Sequence, residues 1–130
     1  MSKCAMYIFI NKGLGMSAGK IGSQSAHAAV EAFRISKVDK LAEWYKGKHY
    51  MKLVMQARDG EHLQNIQDYL TARGFKSEMI IDEGLTEIDS IVKTALGVEV
   101  VDKDDEHTEA TFSTFELYRD SIKITLEIPK

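Results

Sequence analysis

Lys20, Gln24 and His27 recur at helical spacing within residues 16–29, and Glu31 continues the row one turn later. A cation, an amide and an imidazole on one narrow helix face can hold an anion, donate to a developing oxyanion or move a proton. Ser17 and Gly19 are start signals for that helix. They place Lys20 in its first turn, where free backbone N–H groups and the dipole already favour an anion. The opposite face carries Ile21, Gly22, Ser25, Ala28, Ala29, Ala32 and Phe33, small or apolar residues that let a helix lie close against a sheet. A polar stripe is ordinarily just the solvated side of an amphipathic helix. Two features ask for more. A cation in the first turn opposes the dipole, and Gly19 and Gly22 weaken a helix by roughly 1 kcal/mol each. Residues that cost stability locally are candidates for function.

The elements around this row decide what it can meet. Residues 5–10 are a continuous apolar run and read as a buried strand leading into it. The helix runs over residues 17–36. Residues 39–45 make a short second helix, capped by Asp39, with Leu41 and Trp44 or Tyr45 inward; Gly47 ends it. Residues 50–57 alternate as a second strand. Residues 61–73 hold Leu63, Ile66, Gln67 and Leu70 at helical spacing, with Gly74 placed as a C′ glycine. Residues 75–82 are a third strand, 82–90 a polar loop, and 91–101 contain a fourth strand. Residues 102–109 read as an acidic linker, 109–114 as a short helix or the start of a strand, and 115–118 and 122–128 as extended.

Strand–helix alternation predicts a single α/β domain over residues 1–130. It is a three-layer α/β/α sandwich with a mixed, largely parallel sheet of about four strands plus a C-terminal extension, 119–130. Sites in such sheets gather beyond the C-terminal strand ends. Strand one ends at the Lys20 helix and strand three at Asp82, so both reach one rim. That rim brings Lys20, Gln24 and His27 within reach of Asp82, Thr86 and Thr94.

Composition bounds the rest. The chain has 130 residues and a net charge of −3, which at first argues against a nucleic-acid partner. Residues 1–60 hold ten basic and four acidic residues, net +6, while residues 61–130 hold seven and sixteen, net −9. Such asymmetry fits one basic and one acidic face. The basic half sets Lys37, Lys40, Lys46, Lys48 and Lys52 around Trp44 and Tyr45. No apolar run approaches the ~20 residues of a membrane helix. Lys12 and Gly13 cut short the only N-terminal run that a signal peptide could use. The single cysteine, Cys4, excludes an internal disulfide and suits a reducing cytoplasm. His49, His62 and His107 lack ligand spacing, so no metal and no cofactor is expected.

Taken together, these residues resemble the peptidyl-tRNA hydrolases of the archaeal and eukaryotic type. That family's first helix reads Met-x-x-Gly-Lys-x-x-x-Gln-x-x-His-Ala, matched without a gap by Met16, Gly19, Lys20, Gln24, His27 and Ala28. Its Asp-x-Gly-x-Thr loop is matched by Asp82, Gly84 and Thr86, and its Thr-x-Leu-Gly strand by Thr94, Leu96 and Gly97. Trp44 falls where the family often has a tryptophan. The resemblance spans residues 5–97 and resumes near residues 115–118. The chain departs at Glu83 and Leu85, where the family has Ala and Arg, and after Gly97, where a Gly-Pro segment is replaced by Val98-Glu99-Val100-Val101.

The resemblance implies hydrolysis of the ester joining a peptide to the terminal ribose of tRNA, a peptidyl-tRNA partner, a homodimer and a cytoplasmic setting. Ester hydrolysis needs a positioned water, a proton acceptor and donors for the oxyanion. Asp82 can orient or deprotonate water, Lys20 can hold a phosphate or the oxyanion, and Thr86, Thr94 and Gln24 supply further polar groups. His27 is a base or a brace for the helix face. No Gly-x-Ser-x-Gly elbow is present, which favours direct water attack over an acyl-enzyme. The competing readings are a catalytically silent RNA-binding module and a protein-interaction module on the same scaffold.

Overall fold

The computed structural model describes residues 3–83 and 91–119. In chain order these form β1 (Cys4–Asn11), one turn of 3-10 helix (Lys12–Leu14), α1 (Ala18–Ile35), α2 (Val38–Lys46), β2 (Lys52–Ala57), α3 (Gly60–Ala72), β3 (Ser77–Glu83), β4 (Ile91–Val98), β5 (Val101–Asp102) and α4 (Glu106–Phe112).

The sheet order is β2-β1-β4-β3, with β5 on β1. β1 and β2 pair in parallel, whereas β4 is antiparallel to both β1 and β3. Hence β1, β2 and β3 all point one way, and β4 alone of the long strands opposes them. This is the expected mixed sheet. Every residue of β1 is buried, because both faces of this strand are covered. Tyr7 and Phe9 pack with Leu63, Ile66 and Leu70 of α3 and Phe112 of α4. Met6, Ile8 and Ile10 pack with Ala28 and Ala32 of α1 and Trp44 of α2. Two cores on opposite faces make the three layers.

The charge split of the sequence follows those layers. Residues 18–48, spanning α1 and α2, hold six basic and three acidic residues. α3 holds two acidic residues and no basic one, and residues 102–112 hold five acidic and one basic. One helical layer is basic and the other acidic.

Several expected boundaries move, for local reasons. α2 begins at Val38 with Lys37 at the N-cap and no side-chain cap bond, so Asp39 serves the first turn and not the cap. Trp44 is the inward ring and Tyr45 stays exposed. β2 starts at Lys52 because Lys48 and Tyr50 hold positive φ angles that break an extended run. The expected acidic linker is largely ordered as β5 and α4. Asp105 caps α4 by accepting from the Thr108 N–H, and Glu106 and Glu109 sit in the first turn, where the dipole favours carboxylates. Residues 116–118 lie beside β2 through Gln56 N–H to the Glu116 carbonyl and Tyr118 N–H to the Val54 carbonyl. The extended segment expected at 122–128 lies outside the described residues. Cys4 is buried, and burial pushes its thiol pKa up, against a reactive thiolate.

α3 starts where Asp59 caps it by accepting from the His62 N–H at 2.8 Å. The Arg58 backbone N–H donates to His62 Nδ1 at 2.9 Å. Burial, with Arg58 nearby, pushes the His62 pKa below its ordinary value, and Asp59 opposes this. The unfolded chain therefore takes up the proton first. Stability is complete above an unfolded histidine pKa of about 6.5 and falls as pH drops through that value towards the folded one. Urea midpoints of the wild type should fall more between pH 7.5 and 5.5 than those of His62→Gln. Equal falls would refute the coupling.

Candidate active site at the rim of the sheet

α1 is positioned by contacts its sequence dictates. Ser17 caps it, accepting from the Lys20 N–H at 3.2 Å. Ala28 and Ala32 are fully buried against the sheet, and opposite them β4 carries Gly97, whose missing side chain admits the Ala28 carbonyl. The helix thus lies low across β3 and β4, with its N-terminus at the rim where β1 and β3 end.

There Lys20 Nζ meets Asp82 Oδ2 at 2.8 Å. The two residues stand far apart in the chain, on α1 and β3, and the shared direction of β1 and β3 puts them on one edge. Lys20 is about half exposed and Asp82 less so, so the pair is accessible.

Thr94 comes to the same face by a register shift. Ile80 pairs with Ala95 but Ile81 pairs with Lys93, so Thr94 is the extra residue of a bulge in β4. Bulges re-aim side chains, often beside active sites. Lys93 turns to the α3 layer, where its ammonium donates to Gln64 Oε1 at 2.9 Å. Thr94 and Ala95 both face α1. The buried Thr94 hydroxyl donates to Gln24 Oε1 at 2.7 Å, with the Ile80 carbonyl 3.3 Å away. With its oxygen occupied, Gln24 has its amide N–H groups left to donate.

Of the six residues expected at this site, the structure joins Lys20 to Asp82 and Gln24 to Thr94. The His27 ring is exposed on α1 and has no hydrogen-bond partner among the described residues. Glu31 closes the row by pairing with Arg34 at 2.8 Å. Thr86, with Gly84 and Leu85, lies outside the described residues. The bulge at Thr94 and the close approach at Gly97 escape sequence reasoning; the Leu96-Gly97 pair inside an otherwise strong strand is the one signal for them. A cavity of about 340 Å³ lies by the end of β2, lined by Lys12, Gln56, Arg58, His62, Thr114 and Glu116 and by none of the expected site residues. The Lys20–Asp82 pair occupies open surface.

Thr94→Val keeps shape and removes the donor. A hydrogen bond is worth about 1 kcal/mol net, so loss of Gln24 positioning should lower turnover of the substrate about five- to tenfold. The thermal midpoint should drop only slightly, because half-buried Gln24 can turn to water. Unchanged turnover would mean that Thr94 does not position Gln24.

Comparison with known proteins bears on the family of the chain. The chain is 33% identical over 96 residues to the peptidyl-tRNA hydrolase of Thermoplasma acidophilum, covering 72% of this chain and 81% of that one. It is 34% identical over 109 residues to that of Pyrobaculum aerophilum, covering 75% and 89%. A probable peptidyl-tRNA hydrolase 2 of Schizosaccharomyces pombe is 35% identical over 95 residues, 72% of this chain but 46% of that longer protein. No described helix is long and apolar enough to cross a membrane. The family model described as peptidyl-tRNA hydrolase PTH2 matches residues 4–118, which take in every described element, and the chain belongs to that family.

Proposed function

We propose that this protein hydrolyses the ester between peptide and tRNA in peptidyl-tRNA by direct attack of water at the rim. The observation that carries the reading is the 2.8 Å Lys20–Asp82 contact on open surface, formed by two residues of the family's separated motifs. Asp82 holds Lys20 with one oxygen, takes a proton of the attacking water with the other, and returns it to the ribose oxygen as the ester C–O bond breaks. Lys20 and the Gln24 amide meet the negative charge that develops on the ester carbonyl. Thr94 fixes Gln24, and Thr86 supplies a second hydroxyl. His27 stands exposed on the same row of α1, open to a bound substrate. A Cβ at Gly19 or Gly22 would meet nothing within 4 Å, so the smallness of these residues serves no packing need inside the fold. Purified protein should release free peptide from peptidyl-tRNA. Binding without release would favour the catalytically silent RNA-binding alternative.

The tRNA is taken on the basic layer, by Lys20 with Lys37, Lys40, Lys46 and Lys48. Neutralised phosphates release counterions, so log affinity should fall with log salt by about 0.7 to 0.9 per phosphate contacted. Removing these lysines together should flatten that slope; affinity independent of salt would refute the surface. Family resemblance supports a cytoplasmic setting and a homodimer, the latter checked by sedimentation of purified protein.

A further inference from the structure

The outer face of the α1–α2 layer keeps large apolar side chains in solvent. Phe33, Tyr45 and Tyr50 are 39%, 47% and 40% exposed, and Val30 and Val38 more so. The rings form a linked cluster. Phe33 meets Tyr45 at 5.9 Å between centroids, Tyr45 meets Tyr50 at 5.1 Å, and Tyr50 meets the buried Trp44 at 5.6 Å, all edge to face. A slot of about 280 Å³ opens beside them, lined by Met6, Ala29, Val30, Phe33, Trp44 and Tyr45.

The loop that supplies Tyr50 is held in an uncommon conformation. Lys48 and Tyr50 have φ of 55° and 45°, which side chains of this bulk rarely adopt. The strain is retained by specific bonds. The Trp44 indole N–H donates to the Met51 carbonyl at 3.0 Å, and the Lys52 ammonium donates to the Tyr50 carbonyl at 3.0 Å. Lys52 also stands 5.2 Å over the Trp44 ring. Strain kept in this way clusters at functional sites, and here its result is to set the Tyr50 ring against Tyr45.

Charge selects the occupant. Residues 33–52 hold six basic residues, Arg34, Lys37, Lys40, Lys46, Lys48 and Lys52, against Asp39 and Glu43. A second copy docked face to face would set like charges together. An unpaired nucleic-acid strand offers what the surface lacks, flat apolar bases and a phosphate chain, and such strands are bound by aromatic platforms in basic grooves. We propose that Phe33, Tyr45 and Tyr50 form a stacking platform for unpaired bases of an RNA strand, with Lys46, Lys48 and Lys52 holding its phosphates. Which RNA delivers that strand rests on the peptidyl-tRNA reading. The platform itself is separate from the reacting ester, because Phe33 lies thirteen residues beyond Lys20 on α1, about 20 Å at roughly 1.5 Å per residue.

The test is anisotropy of a labelled RNA about twelve nucleotides long, within the span such grooves bind, of mixed sequence and carrying no ester, as a single strand and as a duplex. The wild type should prefer the single strand. Tyr45→Leu, on an exposed helix position, and Tyr50→Leu should each weaken it by about 5- to 100-fold, the scale of losing one stacked base. Lys103→Ala, in the acidic stretch of the opposite layer, should leave this affinity unchanged. With peptidyl-tRNA, Tyr45→Leu should raise KM and keep kcat. Undiminished single-strand binding by both leucine variants, or preference for the duplex, overturns the platform while leaving hydrolysis standing. Self-association abolished by Tyr45→Leu, with RNA binding untouched, assigns the face to a second copy and overturns it too. Binding as expected in a protein that releases no peptide upholds the platform and fails the hydrolase reading instead.

Discussion

Lys20→Ala should lower turnover of peptidyl-tRNA by roughly 10²-fold or more, the scale for losing one donor to a developing oxyanion. The fold should survive. Lys20 is about half exposed and its 2.8 Å contact with Asp82 is solvated, and such ion pairs contribute about 0–1 kcal/mol. An unchanged thermal midpoint beside lost turnover is therefore the signature of a chemical role. Asp82→Asn preserves shape and removes the charge, so it tests whether a carboxylate must act on the water. If the two residues serve one step, the double variant should be little worse than the poorer single one. Full additivity would assign them independent roles, with Lys20 only docking a phosphate. Unchanged turnover in both single variants would remove this pair from the site, and with it the main support for hydrolysis.

Gly97→Ala should be strongly destructive for so small a substitution. A Cβ there would run into the Ala28 carbonyl oxygen and lie 3.0 Å from its carbon and 3.2 Å from Ala32 Cβ. The obstacle is backbone, which has no rotamer to escape into, so α1 must leave the sheet. Overpacking of this kind costs about 1–3 kcal/mol, occasionally more. Lifting α1 also draws Gln24 from Thr94 and Lys20 from Asp82, so turnover should fall along with stability. Gly22→Ala is the matched control. It meets nothing within 4 Å and should stabilise α1 by up to about 1 kcal/mol through helix propensity. The comparison needs urea midpoints and turnover for both variants. A Gly97→Ala protein as stable as the wild type would show that α1 does not depend on this approach.

Much of this site is legible in the sequence because it rests on local rules. Ser17 announces the start of α1, helical spacing groups Lys20 with Gln24, and strand–helix alternation sends the ends of β1 and β3 to one rim. What is not legible rests on register and tertiary override. Strict alternation along β4 would put Thr94 and Ala95 on opposite faces; only the bulge turns both toward α1. Helical angle alone groups His27 with Lys20 and Gln24, yet a row along a helix finds partners only where the sheet offers them, and it offers Asp82 and Thr94 to the first two. The positive φ at Tyr50 is invisible beforehand, since tyrosine in an alternating segment argues for a strand. The acidic run at 102–109 reads as linker by composition, but its carboxylates cap and start α4.

The antiparallel placement of β4 between β1 and β3 carries a consequence in time. β1 and β3 have no ladder of their own, since β4 separates them. Lys20 and Asp82 both precede β4 in the chain, but the edges that carry them are held apart and in line only after residues 91–98 have slid between. The Lys20–Asp82 pair is thus assembled by a strand that contributes neither member. Regain of turnover on refolding should therefore report the insertion of that central strand.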